Sequence, residues 1–129
     1  MAYYLFTKAI LSDEPINVFN NGEMKRDFTY IDRDIVKGVK RIIEQPIVNR
    51  ECYKIYNIGN SRSEKLADFI ETLEKHLGKK AKKNLLPMQP GDVSHTFADV
   101  SALQSDYGYS PNTTIDEGLK QFANWYLKN

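Results

Sequence analysis

An arginine and a carboxylate, far apart in the sequence, have the chemistry to bind a phosphate and a sugar. Arg26 follows the turn sequence NNGE, and Asp92 follows Gln89 in the stretch MQPGDV. A guanidinium is always charged, and its planar fork of donors matches the oxygens of a phosphate. A carboxylate and an amide that flank a tight turn suit the hydroxyls of a sugar. For each stretch alone, the simpler interpretation is a surface arginine paired with Asp27 or a neighbour, and an Asx-type turn with a solvated Asp92.

Lysines, histidines and a cysteine are the other groups that could do chemistry. Four lysines between positions 79 and 83 form a cluster that could contact nucleic acid. Because no aromatic residue lies within this cluster, a solvated loop is the simpler interpretation. His76 and His95 have no Cys or His partners at metal-ligand spacing, and we expect no metal site. The single cysteine, Cys52, permits no internal disulfide and is expected to be a buried or half-buried strand thiol. The clustered lysines are Lys79, Lys80, Lys82 and Lys83.

The composition argues against several classes of partner. The chain has 129 residues, with 18 Lys and Arg against 17 Asp and Glu, so it has no general attraction for nucleic acid or anionic membranes. No apolar run approaches the ~20 residues of a membrane-spanning helix, and MAYYLFTKAIL lacks the features of a signal peptide. There is no G-x-S-x-G, P-loop or G-x-G-x-x-G motif. We expect one domain in a cytoplasmic protein, with no nucleic-acid or membrane partner.

Apolar residues at helical spacing predict five helices. Two are expected to begin at capping boxes, Ser61 to Glu64 and Thr114 to Glu117, whose side chains bind backbone N–H groups of the first turn. Strands are predicted on either side of the NNGE turn, in CYKIYNIG and at about residues 84–86. The alternation indicates a layered α/β architecture. The helices are predicted over residues 2–11, 34–44, 61–77, 101–107 and from 114 onwards.

The chain resembles the C-terminal part of NAD-dependent nucleotide-sugar epimerases, which are extended short-chain dehydrogenases/reductases. The likeness is greatest to bacterial UDP-glucuronate 4-epimerases. It implies a small mixed α/β C-terminal substrate-binding domain over residues 1–129, without the Rossmann NAD-binding domain. The resemblance covers essentially the whole chain and is carried, in order, by MAYYLFTKAIL, INVFNNGEMKRDFTYID, YNIGNS, LADFIETLE, LPMQPGDV, FADVSALQSDYGYSP and IDEGLKQFANWY.

The resemblance implies a UDP-sugar site. Val18 and Phe19 lie where the strand backbone and a ring meet the uracil in the family. Arg26 matches the arginine that binds the pyrophosphate, which reverses the surface interpretation given above.

Three further residues complete the implied site. Asp92 matches the residue that accepts hydrogen bonds from the ribose hydroxyls, and Thr96 matches a position bordering the sugar. Gln89 stands where many sugar epimerases have a second phosphate-binding arginine, and the glucuronate-type members resemble this chain in having glutamine there.

The resemblance also implies what this chain lacks. Full-length enzymes bind NAD on a Rossmann domain and oxidise C4 of the sugar with a Tyr-x-x-x-Lys pair. We expect neither here, because YYLFTK lies in the wrong part of the family's order; no NAD is expected to bind to this chain alone. Met1 resembles an internal methionine of the family. Compared with the family's run RDFTYIDDIV, this chain has one extra residue near Arg33. Because that residue lies at the junction of a strand and a helix, either Asp32 or Asp34 could cap the helix.

Two functional hypotheses follow. In the first, the chain is the UDP-sugar-binding portion of a UDP-sugar 4-epimerase that interconverts UDP-glucuronate and UDP-galacturonate. It is not catalytic by itself and acts with a separate chain that carries the Rossmann half. In the second, it is a non-catalytic remnant or interaction domain that binds no sugar nucleotide. An apolar face on the first helix, around Tyr3, Tyr4, Phe6 and Ile10, predicts self-association or domain swapping.

Overall fold

Five α-helices and four short strands lie in residues 2–46 and 53–129, which a computed structural model describes. Helices and strands are interspersed along the chain, and the mixed α/β class is confirmed. The helices are α1 (Ala2–Leu11), α2 (Val36–Glu44), α3 (Leu66–Leu77), α4 (Ser101–Tyr107) and α5 (Ile115–Lys128). The strands are β1 (Pro15–Phe19), β2 (Lys25–Asp27), β3 (Ser63–Lys65) and β4 (Lys82–Leu86).

These elements divide between two compact units, which are described separately. The first unit contains Met1–Arg26, Glu64–His95 and Thr114–Asn129. The second contains Asp27–Ser63 and Thr96–Thr113. That the chain acts as one nucleotide-sugar-binding domain stays a prediction.

The first unit is built on a two-stranded parallel sheet. β1 pairs with β4 in a register that sets Pro15 opposite Lys82 and Phe19 opposite Leu86. Residues alternate along β1, so that Ile16 is buried while its neighbours are exposed, as in a strand with one face on a core. Helix α3 packs against α1 and α5 and supplies much of that core. Its buried apolar residues are Phe69, Ile70 and Leu73.

The second unit has its own core, centred on Tyr109. This side chain is 2% exposed, and its hydroxyl donates to the carbonyl of Gly59 over 2.9 Å. Burial and the nearby carboxylates of Asp34 and Asp27 raise the pKa of Tyr109 to about 12, so the hydroxyl stays protonated and remains a donor. The other buried members of this core are Val100 and Leu103, on or beside α4.

The turn that follows β1 has the backbone that its sequence predicts, although the strands on its two sides are not partners. Asn20 and Asn21 have φ values of 47° and 50°, and Gly22 has 82°. Asparagine and glycine tolerate these positive values. However, β1 pairs with β4, whereas β2 pairs with β3. The strands and the turn are confirmed, but they form no hairpin.

Of the two predicted capping boxes, one is confirmed and one is wrong. The Thr114 hydroxyl accepts from the N–H of Glu117, and the Glu117 carboxylate accepts from the N–H of Thr114. Ser61 instead has φ of 52°, and residues 63–65 form β3. Helix α3 therefore starts at Leu66, and no side chain caps the N–H groups of its first turn.

The segment CYKIYNIG is not a strand over its described residues, 53–59, so that prediction is wrong. Tyr53 and Ile55 are 79% and 78% exposed, and no ladder partner is found in the described part of the chain. A strand needs a neighbour for its backbone hydrogen bonds, whatever its side-chain pattern. Cys52 lies outside the described residues.

Arg33, near which the resemblance implies one extra residue, lies in a π-helical turn, Ile31–Ile35, directly before α2. A π turn holds one residue more than an α turn, which suits the extra residue that the resemblance implies. The expectation that Asp32 or Asp34 caps the helix is wrong, because no side chain caps either helical segment. Asp34 is instead 1% exposed and accepts from the N–H of Asn112 over 3.4 Å.

Candidate functional site

Arg26 and Asp92, both in the first unit, form an ion pair. Nη2 of Arg26 lies 2.9 Å from Oδ1 of Asp92, and Nη1 donates to the carbonyl of Lys25 over 2.9 Å. The two side chains are 24% and 34% exposed, so both remain accessible from solution. The described ion pair of Arg26 is thus with Asp92 and not with the adjacent Asp27.

A tight turn positions Asp92. Its N–H donates to the carbonyl of Gln89 over 3.2 Å, which closes a four-residue turn. Pro90 at the second position and Gly91 at the third, with φ of 82°, match a type II turn. The N–H of Val93 then donates to Oδ1 of Asp92 over 2.8 Å, so the carboxylate is fixed from both sides.

The pair retains unused hydrogen-bonding groups. A guanidinium carries five N–H donors, and the described contacts of Arg26 use one on Nη1 and one on Nη2. On Asp92, both described bonds go to Oδ1, so Oδ2 is available within the described part of the chain. The arrangement can therefore offer a fork of donors and an acceptor, side by side, to one ligand.

The other predicted residues of the first unit lie near the ends of its two strands. Val18 is buried opposite Leu85, so only its backbone can meet a ligand. Phe19 is half-buried at the end of β1. Gln89 opens the turn that carries Asp92, and its side chain is exposed.

Thr96 lies in the second unit. Its hydroxyl oxygen accepts from the N–H of Asp27 over 3.2 Å, and its carbonyl accepts from the Ser63 hydroxyl over 3.2 Å. Asp27, which the sequence suggested only as a partner of Arg26, is bound by several segments of this unit. Sequence reasoning missed that role, because its partners are backbone N–H groups, which carry no residue-type signal.

Three lysines of the cluster make contacts within the first unit. Lys79 binds Asp13 and the Leu11 carbonyl, at 2.7 Å and 2.9 Å. Lys80 and Lys83 both bind Glu74, whose side chain is 1% exposed. These contacts place acidic or carbonyl oxygens beside three of the four clustered lysines.

Tyr4 and Lys8 do have Tyr-x-x-x-Lys spacing, so the expectation that the chain lacks this pattern is wrong for the sequence itself. Both lie in α1, where the Tyr4 ring packs edge-on against Tyr126 with centroids 5.6 Å apart. This ring contact explains the position of Tyr4 by packing and gives no evidence that its hydroxyl transfers a proton. The pattern carries no catalytic argument here.

Two kinds of feature are absent from the part of the chain that the structure describes. Within residues 2–46 and 53–129, no group of three or more His, Cys, Asp or Glu side chains is placed to hold a metal ion. No helix there is long and apolar enough to cross a membrane.

Known proteins give the context for this geometry. Residues 2–59 match the NAD dependent epimerase/dehydratase family. The whole chain is 52% identical to an uncharacterized protein of Methanocaldococcus jannaschii, of which it covers 38%. It is also 35% identical over 144 residues to a probable UDP-glucuronate 4-epimerase of Rhizobium meliloti, of which it covers 42%. Residues 2–59 are thus similar to the NAD dependent epimerase/dehydratase family.

A solved structure supports this relationship at the level of the fold. UDP-glucuronic acid 4-epimerase from Bacillus cereus, in complex with UDP-glucuronic acid and NAD, superimposes with a TM-score of 0.86 and 34% identity. The match covers 99% of this chain and 40% of that one. The chain thus spans about two-fifths of the length of the relatives it matches. The resemblance found in the sequence is confirmed.

Proposed function

We propose that this chain is the UDP-sugar-binding portion of an NAD-dependent UDP-sugar 4-epimerase. The Arg26–Asp92 pair on its type II turn is the observation that carries the proposal. The whole activity would be the interconversion of UDP-glucuronate and UDP-galacturonate. The bound ligands of the Bacillus cereus relative, UDP-glucuronic acid and NAD, support this choice.

Each residue of the site has a role in this proposal. Arg26 donates its unused N–H groups to diphosphate oxygens, which a planar fork matches well. Oδ2 of Asp92 accepts from the ribose hydroxyls, and Gln89 lies beside the phosphates. The backbone of Val18 and the ring of Phe19 meet the uracil. Thr96 borders the sugar.

By itself the chain is not expected to epimerise a sugar. NAD supplies the hydride chemistry at C4 in the whole enzyme, and the residues that bind NAD would belong to the Rossmann half of that enzyme. The residues present here bind and orient the nucleotide. We place the assembled enzyme in the cytoplasm, where nucleotide sugars would reach it.

A calorimetric titration of the full 129-residue chain with UDP tests the proposal. We expect saturable binding that is lost in Arg26→Ala and retained in Arg33→Ala, which removes an exposed arginine outside the site. No heat at millimolar UDP, or equal loss in both variants, would contradict a diphosphate site at Arg26.

The second candidate is a domain that keeps the fold without binding a sugar nucleotide. It is favoured by the same ion pair, because Arg26 and Asp92 already satisfy part of each other's charge without a ligand. In that case the unaltered chain would not bind UDP, and Arg26→Ala would only lower the free energy of unfolding slightly. The titration above separates the two candidates.

A further inference from the structure

We propose that Asp27 is a positioning residue that holds the Thr96 hydroxyl as a donor toward an acceptor oxygen of the sugar. The inference rests on the proposed function, because Thr96 is taken to border the sugar. All the contacts that support it lie within the second unit.

The Asp27 carboxylate binds donors from three segments of the chain. Oδ1 accepts from the N–H of Asn60 over 2.9 Å and from the Thr29 hydroxyl over 3.3 Å. Oδ2 accepts from the N–H groups of Ser61 and Ala98, over 3.0 Å and 3.1 Å. A carboxylate that accepts several backbone N–H bonds is held firmly, since charged acceptors make the stronger bonds. Asp27 therefore fixes residues 59–61 against residues 96–98.

Packing beside this carboxylate is unusually close. A Cβ atom built on Gly59 would lie 2.3 Å from the Cβ of Ala98 and 3.2 Å from Oδ2 of Asp27. Only glycine permits this approach of the two backbones. The position of Ala98, two residues after Thr96, is thus set by contact as well as by hydrogen bonding.

The bonds of Thr96 itself decide what it can offer a ligand. Its hydroxyl oxygen accepts from the N–H of Asp27, and its carbonyl accepts from Ser63. A hydroxyl has a single proton, and accepting this bond leaves that proton to be donated. Thr96 in this geometry suits a hydroxyl or carboxylate oxygen of the sugar.

The test compares UDP, which has no sugar, with UDP-glucuronate, by calorimetry on the full chain. In Asp27→Asn, an amide N–H₂ replaces one acceptor and opposes a backbone N–H. We expect the affinity for UDP-glucuronate to fall about tenfold while that for UDP changes less than about twofold. Thr96→Val should give the same selective loss, and the double variant should lose little more. Asp32→Asn, which removes an exposed carboxylate, is the control and should change neither affinity.

Equal losses for both ligands in Asp27→Asn, or no loss, would overturn the inference. Thr29→Val is a milder variant, because it removes only the hydroxyl that donates to Oδ1, and it should show a smaller loss with the same selectivity. If the unaltered chain binds neither ligand, the proposed function fails. The positioning of Thr96 by Asp27 is then tested by NMR on the ligand-free protein. Three-bond couplings should then show one Thr96 rotamer, which becomes averaged in Asp27→Asn; unchanged couplings would contradict the inference.

Discussion

Nη2 of Arg26 lies 2.9 Å from Oδ1 of Asp92, across 66 positions of sequence. The contact joins a strand residue to a turn that Pro90 and Gly91 shape. It leaves donors on one partner and an acceptor oxygen on the other, both open to solution. In the proposed function, these donors bind a phosphate and this acceptor binds a sugar hydroxyl.

Asp92→Asn separates binding from stability. Because both partners are partly exposed, the ion pair should contribute less than about 1 kcal/mol to the free energy of unfolding. UDP affinity should fall about tenfold, since the ribose loses a charged acceptor. Chemical denaturation and calorimetry on the same samples measure both. A large loss of stability with unchanged UDP affinity would show that the pair is structural.

Lowering the pH should weaken the first unit through Glu74. Burial raises the pKa of this carboxyl, but hydrogen bonds from Lys83 and Lys80 and from the Ala81 N–H outweigh it, and the pKa lies below its ordinary 4.5. A depressed pKa in the folded state means that the stabilisation is present above pH 4.5 and is lost as the pH falls through the folded value.

Glu74→Gln tests this dependence. It should cost about 1–3 kcal/mol at neutral pH and should remove part of the acid dependence, because glutamine does not titrate. Denaturant unfolding at neutral pH and near pH 3 gives the comparison. Glu71→Gln, at an exposed position of the same helix, is the control, and an equal effect from it would contradict the role of Glu74.

The capping box of α5 gives a local test. Thr114→Ala removes the hydroxyl that accepts from Glu117 and should cost about 1 kcal/mol of unfolding free energy. Ser61→Ala, in the sequence pattern that does not cap, should cost much less. Thermal unfolding followed by circular dichroism ranks the two variants. Equal costs would argue against the cap seen at Thr114.

Self-association stays a prediction, with its surface revised. Ile10 was expected to be exposed but is 1% exposed, whereas Tyr4 and Leu5 are 46% and 61% exposed. Trp125, on α5 of the same unit, is 56% exposed and lines an open hollow with Tyr4. We expect Leu5→Glu to lower the mass measured by light scattering at high concentration. A monomer at every concentration of the unaltered chain would contradict the prediction.

Short sequence motifs correctly predicted the helix ends that depend only on neighbouring residues. The Thr114 box and the left-handed Gly78 and Gly108 that end α3 and α4 depend on neighbours in sequence, and they are present. The Ser61 box failed because the Ser61 N–H donates to Asp27 and the following residues pair with β2, both of which are tertiary contacts.

The candidate site was predictable only in pieces. Arg26 and Asp92 were each identifiable from residue type and a nearby turn, but no local pattern shows that they meet. The hydrogen bonds of Asp27 were hidden for the same reason, because their donors are backbone N–H groups from distant segments. The prediction that Arg26 and Asp92 belong to one site came from the resemblance, which rests on the order of the motifs along the chain.

The most direct test of a diphosphate site at Arg26 is an amide NMR titration of the full chain with UDP. The N–H of Val93, which donates to Oδ1 of Asp92, should shift saturably together with that of Asp92. In Arg26→Ala both shifts should disappear. Val93 and Asp92 signals that stay unmoved at millimolar UDP, or that move equally in Arg26→Ala, would contradict the account.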